Sequence, residues 1–240
     1  MTNPRENIRV YLKRLLDRFF YIKSLHNQLI LLKEWESPER SKAIDVGYYF
    51  FGLVSYSFQR TILIELCMLL SDREDKSLVD FLTFAEQHAD SIEPKQYDMR
   101  SNQDCPVNPT DFTRIVLTHK TLLAGKQDLI RRIKAQRDKF LVHADEAFFD
   151  DPTHIYSQYP IDESEIGEVV AIVSEILKSF YLYLFSTDRD MEIYSGSGID
   201  AVLSNVRAFD RIWMDKRLSN LKRYLYREDD YDETVPVFFN

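Results

Sequence analysis

Apolar residues recur at steps of three and four along most of the chain, which is the spacing of one face of an α-helix. The first 35 residues show the pattern well, because leucine, isoleucine and phenylalanine alternate there with arginine and lysine. We predict six helical stretches, at residues 5–35, 43–70, 77–88, 110–143, 162–185 and 199–226. The sequence therefore predicts an all-α protein.

Proline and capping residues mark where the predicted helices begin and end. Ser37-Pro38 ends the first helix, because proline cannot continue it. Residues 91–109 contain three prolines and no β-hairpin signal, so we predict a loop there. Asp162 and Glu165 form a capping box at the start of the apolar helix that follows them.

Four of the predicted helices are long, and the chain contains no internal repeat. Long helices joined by short connections predict an up-down helical bundle with short extra helices. We place this bundle at residues 1–190. A polar break at 186–198 precedes a C-terminal helical extension and an acidic tail, which we place at 191–240.

The second predicted helix is unusually aromatic over residues 48–58, with Gly47 and Gly52 beside or among the aromatic positions. Small residues let a neighbouring helix approach closely, so we expect this helix to lie at the buried centre of the bundle. The same features also suit an interface between two copies of the chain.

Composition and the start of the chain favour a soluble cytoplasmic protein. The longest run without a charge, residues 46–59, is shorter than the roughly 20 residues that a membrane-spanning helix needs. The first residues lack the apolar core of a secretory signal. Cys67 and Cys105 are too few for a disulfide framework or an unaided zinc site, and Cys67 lies in an apolar run typical of a core. We expect no cofactor and no membrane contact.

Charge is unevenly distributed along the chain. The formal net charge is −8, which disfavours a surface that coats nucleic acid. Residues 120–139 nevertheless hold seven basic and two acidic residues, a local net charge of +5, whereas residues 228–233 carry −5. A basic strip on an acidic body fits a confined anion site, and it fits solvated helix faces equally well.

Arg137 lies four residues after Ile133 and so falls in register with the buried face of the fourth predicted helix, residues 110–143. A buried guanidinium without a partner is costly, so it needs an anion or a cavity. The only charge in the apolar run 62–70 is Glu65. Because both charges lie on inward faces, we predict that Glu65 contacts Arg137 or Lys139.

His143 closes the same predicted helix, six residues after Arg137. Six residues of an ideal α-helix turn through about 600°, so the two side chains would point apart. For them to act together, the helix must end or bend near Val142, or two protomers must assemble the site. The loop that follows, with Pro152, allows such an end.

The run Arg137-Asp138-Lys139-Phe140-Leu141-Val142-His143 resembles the HEPN motif, an arginine, a polar residue, a few variable residues and a histidine at the end of a bundle helix. The wider pattern resembles the abortive-infection AbiU-like branch, in which an apolar helix with a glutamate precedes an Arg-Asp-Lys…His-x-Asp run. The resemblance covers roughly residues 5–185. Some family members carry tyrosine two residues after the histidine, where this chain has Asp145.

The resemblance implies a metal-independent endoribonuclease, in which an RNA 2′-hydroxyl attacks the adjacent phosphate and leaves a cyclic phosphate end. His143 would be the acid/base, because histidine titrates near neutral pH. Arg137 would clamp the phosphate with its planar fork. The supporting residues are Asp138, Lys139, Glu65 and Asp145. Among these, Asp138 and Glu65 would orient the arginine and the histidine. Lys139 would make the electrostatic potential of the site more positive.

The resemblance also implies partners. The substrate would be RNA, and the protein would act in toxin-type or antiphage defence. An antitoxin or regulatory protein could control such an enzyme. We expect a homodimer, because one histidine cannot easily serve as base and acid at once, whereas two protomers supply two His143 residues.

Two other classes of function compete with this one. A non-catalytic HEPN-like module would use the same pocket to bind a nucleotide, RNA or a protein partner without turnover. A metal-dependent phosphohydrolase would use the histidines and acids of residues 143–154, although their spacing matches no established ligand motif.

Overall fold

The structure is a computed structural model. It describes residues 3–37, 41–45, 47–71, 76–98, 103–141, 153–193 and 198–214. Nearly all of these residues are helical, which confirms the predicted all-α class. One two-stranded antiparallel sheet is the exception among them.

The long helices are α1 (Pro4–Glu34), α3 (Tyr48–Leu70), α6 (Pro109–Ala124), α9 (Glu163–Phe185) and α10 (Ile199–Met214). The shorter helices are α2 (Lys42–Asp45), α4 (Leu78–Gln87), α5 (Ala89–Ile92), α7 (Gln127–Gln136) and α8 (Thr153–Gln158). A π-helical segment, Arg137–Leu141, continues from α7. The strands are β1 (Lys95–Asp98) and β2 (Gln103–Pro106).

Side-chain caps explain where several helices begin. The Ser77 hydroxyl accepts a hydrogen bond from the Asp80 backbone N–H, 3.2 Å away, at the start of α4. At the start of α9, Glu165 Oε2 accepts from the Asp162 backbone N–H at 2.9 Å. This bond is the glutamate half of the predicted capping box, so the signal identified the correct helix end.

The loop predicted for residues 91–109 is wrong, because β1 and β2 form a hairpin within it. Lys95 lies opposite Pro106, and Asp98 lies opposite Gln103. Beyond the pair, the Val107 backbone N–H donates to the Pro94 carbonyl at 2.8 Å. Backbone hydrogen bonds hold this hairpin, and β2 is exposed along its whole length. Its sequence therefore carries no alternation of apolar and polar residues that could predict a strand.

The single helix predicted over residues 110–143 is divided in the structure. The α6 helix ends at Ala124, and Gly125 follows it as the C-terminal cap. Glycine is a weak helix former, which accounts for the interruption at this point. The regular α-helical geometry of α7 then ends at Gln136, and the wider π-helical segment follows.

The chain divides into two compact units. Unit 1 comprises residues 1–24 and 60–193, and unit 2 comprises residues 25–59 and 194–240. The predicted boundary between residues 190 and 191 stays a prediction.

The core of unit 1 rests on four phenylalanines, Phe19, Phe81, Phe112 and Phe180, one from each of α1, α4, α6 and α9. The Phe180 ring lies edge-on to Phe81, with centroids 4.8 Å apart, and to Phe112 at 5.7 Å. Such pairs stabilise a core beyond the area that they bury. Cys67, from the C-terminal half of α3, is buried as the sequence predicted.

The core of unit 2 is a smaller apolar cluster. Its buried members are Leu32, Trp35, Ala43, Ile44, Phe51 and Leu203. Trp35 Nε1 donates to Asp200 Oδ1 at 2.8 Å, and the Ile199 backbone N–H donates to Gln28 Oε1 at 2.6 Å. A Cβ atom at Gly198 would lie 2.2 Å from the same Gln28 oxygen. Glycine at this position therefore allows α1 and the start of α10 to approach closely.

The aromatic half of α3 is not the buried centre that the sequence predicted. Its large side chains are mostly exposed: Tyr49 is 90% exposed, Tyr48 66%, Leu53 64%, Phe50 63% and Tyr56 42%. Residues 48–51 are consecutive aromatics, so a helix spreads them around its circumference. Only Phe51 among these four reaches the core of unit 2.

By length and composition alone, the described helix Tyr48–Leu70 is apolar enough to cross a membrane. A core helix of a soluble protein passes the same test, and the second half of this helix packs in the core of unit 1. Hydropathy therefore does not place the helix in a membrane.

Candidate functional site

The buried face of α7 leads directly to the predicted site. Leu129, Ile130 and Ile133 lie on this face, and each is buried in unit 1. One turn further, Gln136 is also buried, and its Nε2 donates to the Tyr159 carbonyl at 2.6 Å. A buried amide needs such a partner, and this one fixes the end of α7 against the segment that precedes α9.

Arg137 begins the π-helical segment, and its side chain is only 16% exposed. The prediction that it lies in register with the buried face is confirmed. Its Nε donates to Asp138 Oδ1 at 2.7 Å. The anion that the buried guanidinium requires is therefore supplied, at least in part, by the next residue in the chain.

Glu65 has a different partner from the one predicted. Its Oε2 lies 3.1 Å from Arg18 Nε, so the ion pair joins α3 to α1. Both side chains are partly exposed, at 22% for Glu65 and 31% for Arg18. Among the described residues this pair takes the place of the expected contact with Arg137 or Lys139.

Lys139 packs on an aromatic ring that belongs to the same corner of unit 1. Its Nζ lies 5.3 Å from the centroid of the Tyr159 ring, within the range of a cation–π contact. The carbonyl of Tyr159 also accepts the bond from Gln136, so this residue contacts both ends of the turn that carries Arg137.

The structure thus pairs Arg137 with Asp138, places Lys139 over the Tyr159 ring, and puts Glu65 in a separate pair. His143 and Asp145 lie outside the described residues, as do all the other acids in the alternative metal hypothesis. Among the residues that the structure does describe, no group of three histidine, cysteine or acidic side chains is arranged to hold a metal ion.

The basic strip of residues 120–139 is largely neutralised by nearby carboxylates. The ion pairs are Lys120 with Glu86, Lys126 with Glu168, Arg131 with Asp128, and Arg132 with Asp128 and Glu165. The local charge of +5 is therefore not a broad positive surface. Lys134 is different, because the described part of the chain provides no ion pair for it.

The strongest of these pairs joins α7 to α9. Two guanidinium nitrogens of Arg132 donate to the two carboxylate oxygens of Glu165, with distances of 2.5 and 3.0 Å. The hydrogen bond from Arg132 and the backbone bond from Asp162 lower the pKa of Glu165 to about 2. The hydrogen bond to Glu165 likewise raises the pKa of Arg132. This pair fixes the direction in which α7 carries Arg137.

A cavity of about 420 Å³ lies beside the same helix. Leu70 and Ser71 line it from the end of α3, and Gln127, Asp128, Arg131 and Lys134 line it from α7. Two basic side chains of α7, Arg131 and Lys134, therefore border a concave surface.

One buried titratable group lies apart from the site. His119, on α6, is 6% exposed, and neither of its ring nitrogens has a hydrogen-bond partner among the described residues. Burial lowers its pKa from the ordinary 6.5, although the charge of Glu175 opposes the shift. This histidine belongs to the core of unit 1.

Gln136, the Arg132–Glu165 pair and Lys134 are features of this region that the sequence analysis did not single out. Glu165 was visible only as a capping residue, and nothing in the local pattern indicates its bond to α7. Lys134 stands out only when the partners of its basic neighbours are known, which requires the fold.

Comparisons with protein-family models, with curated proteins and with solved structures give no match for this chain.

Proposed function

We propose that this protein is a metal-independent endoribonuclease of the HEPN type, built on the up-down bundle of that superfamily and acting in toxin-type or antiphage defence. The observation that supports it most is the placement of Arg137. Its guanidinium is largely buried and bonded to Asp138 where the α-helix widens into a π-helical segment. Such segments occur frequently at functional sites. The wider turn also lies just before Val142, where the sequence argument required the helix to end or bend.

In this proposal Arg137 binds the scissile phosphate and stabilises the charge that develops on it. Asp138 holds the guanidinium through Nε, and the planar fork of an arginine suits bidentate binding of a phosphate. The side chain is withdrawn from bulk water, so its attraction for a phosphate is screened less than at an open surface.

His143 supplies the proton transfers. One imidazole takes the proton of the RNA 2′-hydroxyl as its oxygen bonds to phosphorus. The bond from phosphorus to the 5′-oxygen then breaks, and a second imidazole, protonated, donates to that leaving oxygen. The products are a 2′,3′-cyclic phosphate and a 5′-hydroxyl. Two His143 residues divide this work in a homodimer, in which the exposed aromatic half of α3 forms part of the interface.

We propose a cytoplasmic location and control by an antitoxin or another regulatory protein. Both follow from the proposed class of nuclease, whose uncontrolled activity would harm the cell that makes it. The RNA substrate is then also cytoplasmic.

The proposal is tested by incubating the purified protein with total RNA in excess EDTA. Wild type should cleave, whereas the variants His143→Ala and Arg137→Ala should not. His88→Ala serves as the matched control, because His88 stacks on Phe84 at the far end of α4 and should be dispensable. Equal cleavage by wild type and His143→Ala would remove His143 from the mechanism.

A titration with the same RNA separates the nuclease from the binding module. Binding without any product, under conditions in which the protein is folded and dimeric, would favour the non-catalytic alternative. Cleavage that requires an added divalent cation would favour the phosphohydrolase instead.

A further inference from the structure

Lys134 is the starting point, because its charge is not balanced as those of its neighbours are. Arg131 pairs with Asp128 at 2.5 Å, and Arg132 pairs with Glu165 at 2.5 Å. Lys134 lies between these residues and Arg137 on the same helix, is half-buried, and has no ion pair within the described ranges. A lysine that is partly withdrawn from water without an anion is the natural partner for an anionic ligand.

Lys134 faces the cavity between the end of α3 and α7. The cavity measures about 420 Å³, which lies within the usual size range of small-ligand pockets. Its charged lining is Arg131, Lys134 and Asp128, a net charge of +1. The local charge is therefore suited to a single phosphate rather than to a metal cation.

The rest of the lining suits the remainder of a nucleotide. Leu70 and Ile130, both nearly buried, form a small apolar floor over which a base can lie. The Gln127 side chain offers an amide, which can both donate to and accept from the edge of a base. Apolar walls with a few convergent polar groups are typical of a site that holds one small unit of a ligand.

Lys134, which lines the cavity, is close to the proposed catalytic arginine along the chain. Arg131, Lys134 and Arg137 follow one another at steps of three residues, and each step advances about 4.5 Å along the axis of an α-helix. Lys134 is therefore about one turn from Arg137. A strand whose scissile phosphate is bound by Arg137 would carry a neighbouring nucleotide past Lys134.

We propose that the cavity is a subsite that binds one nucleotide of the RNA strand next to the scissile phosphate, with its phosphate on Lys134 and its base over the apolar floor formed by Leu70 and Ile130. This inference rests on the proposed nuclease function, since it names how the same enzyme holds its substrate. It adds a contact away from the bond that breaks, so it sets affinity rather than chemistry.

The test uses the full-length protein and a fluorescent single-stranded 2′-O-methyl RNA, which cannot be cleaved because it has no free 2′-hydroxyl. Its affinity is measured by anisotropy at several salt concentrations. For Lys134→Ala, binding should weaken and the slope of log K against log salt should fall by about 0.7, the value for one lost contact to a single-stranded phosphate. Lys134→Arg should restore most of that slope.

The matched control is Lys178→Ala, which removes an equally charged, half-exposed lysine of α9 that pairs with Asp188. It should leave the slope unchanged. If Lys134→Ala and Lys178→Ala give the same affinity and the same slope, the subsite on Lys134 is overturned.

A second variant tests the cavity itself. Gln127 is exposed at the start of α7, so Gln127→Trp should fold and fill the space beside Lys134. Binding should weaken with an unchanged salt slope, because the phosphate contact remains while the base is displaced. Unchanged affinity in this variant would overturn the placement of the base.

The outcomes separate this inference from the proposed function. If no RNA is ever cleaved and Lys134 still controls the binding of the oligonucleotide, the subsite stands and the nuclease fails. If cleavage depends on His143 while the Lys134 variants match the control, the nuclease stands and the subsite fails.

Discussion

The two halves of α3 are similarly apolar but lie in opposite surroundings. In the C-terminal half, Ile62, Leu66 and Leu69 are at most 1% exposed and belong to the core of unit 1. In the N-terminal half, Tyr49 is 90% exposed and Leu53 is 64% exposed in unit 2. The aliphatic residues of the first group recur at helical spacing, whereas the aromatic residues of the second are consecutive. The spacing of the apolar residues along the helix, rather than their hydrophobicity, therefore decides which half is buried in a core.

The two halves of α3 should also differ in what they contribute to the stability of the protein. The buried half stabilises the fold through packing, so its residues should be sensitive to truncation. The exposed half adds little to the folded monomer, so its aromatic surface is available to a partner, and in our proposal that partner is a second copy of the chain.

The largest expected effect is on stability in the buried half. Leu69→Ala removes a fully buried side chain and leaves a cavity, so the free energy of unfolding should fall by about 2–5 kcal/mol. Leu53→Ala, the same change on the exposed half, should cost no more than about 0.5 kcal/mol. Urea denaturation measures both. Equal losses would mean that Leu53 is also buried in the folded protein.

A smaller effect is expected from the polar pair that joins α7 to α9. Glu165→Gln should lower the free energy of unfolding by about 1 kcal/mol at neutral pH, since partly exposed ion pairs contribute modestly. The pKa of Glu165 is about 2 in the folded state and ordinarily 4.5. The contribution is therefore complete above pH 4.5 and is lost as the pH falls toward 2.

Acid titration of the two proteins checks this assignment. Wild type should lose stability more steeply than Glu165→Gln between pH 4.5 and pH 2, as followed by circular dichroism in urea. Parallel curves would show that the carboxylate of Glu165 titrates normally, which would contradict the bidentate bond to Arg132.

His119 gives a second pH dependence, in a higher range. Burial lowers its pKa below the ordinary 6.5, so the unfolded chain binds more protons than the folded chain as the pH falls below that value. The melting temperature should therefore decrease from pH 7 to pH 5. In His119→Leu, which keeps an apolar side chain against Phe180, this decrease should be smaller. If the melting temperature of His119→Leu depends on pH as that of wild type does, another group causes the decrease.

The smallest effect on folding is expected from the exposed aromatic surface. Tyr49→Ser should change the free energy of unfolding by less than about 0.5 kcal/mol, because the ring has few contacts in the monomer. Light scattering should nevertheless report a shift from dimer toward monomer. A monomeric wild type at working concentration would contradict the homodimer, and an unchanged dimer would place the interface on another surface.

The parts of the fold that the sequence predicts are those set by neighbours along the chain. Asp162 and Glu165 mark the start of α9 because a capping box is complete within four residues. Arg137 lies inward because the helical repeat from Ile133 places it there. Both arguments need only local geometry, and the structure bears both out.

The parts that failed depend on distant residues. Glu65 pairs with Arg18, 47 positions away in the chain, and nothing in either segment distinguishes Arg18 from other arginines of α1. The β2 strand is exposed along its whole length, so it leaves no periodic signal. The neutralised basic strip was also invisible, since each acid that pairs with it from α4 or α9 is remote in sequence.

The most direct test of the central claim is the chemistry of the cut ends. Products of cleavage in EDTA should carry 2′,3′-cyclic phosphates and 5′-hydroxyls, and an RNA with 2′-O-methyl groups throughout should bind but stay intact. Products with 5′-phosphates and 3′-hydroxyls, or cleavage of the 2′-O-methyl RNA, would contradict attack by the 2′-hydroxyl and with it the roles of Arg137 and His143.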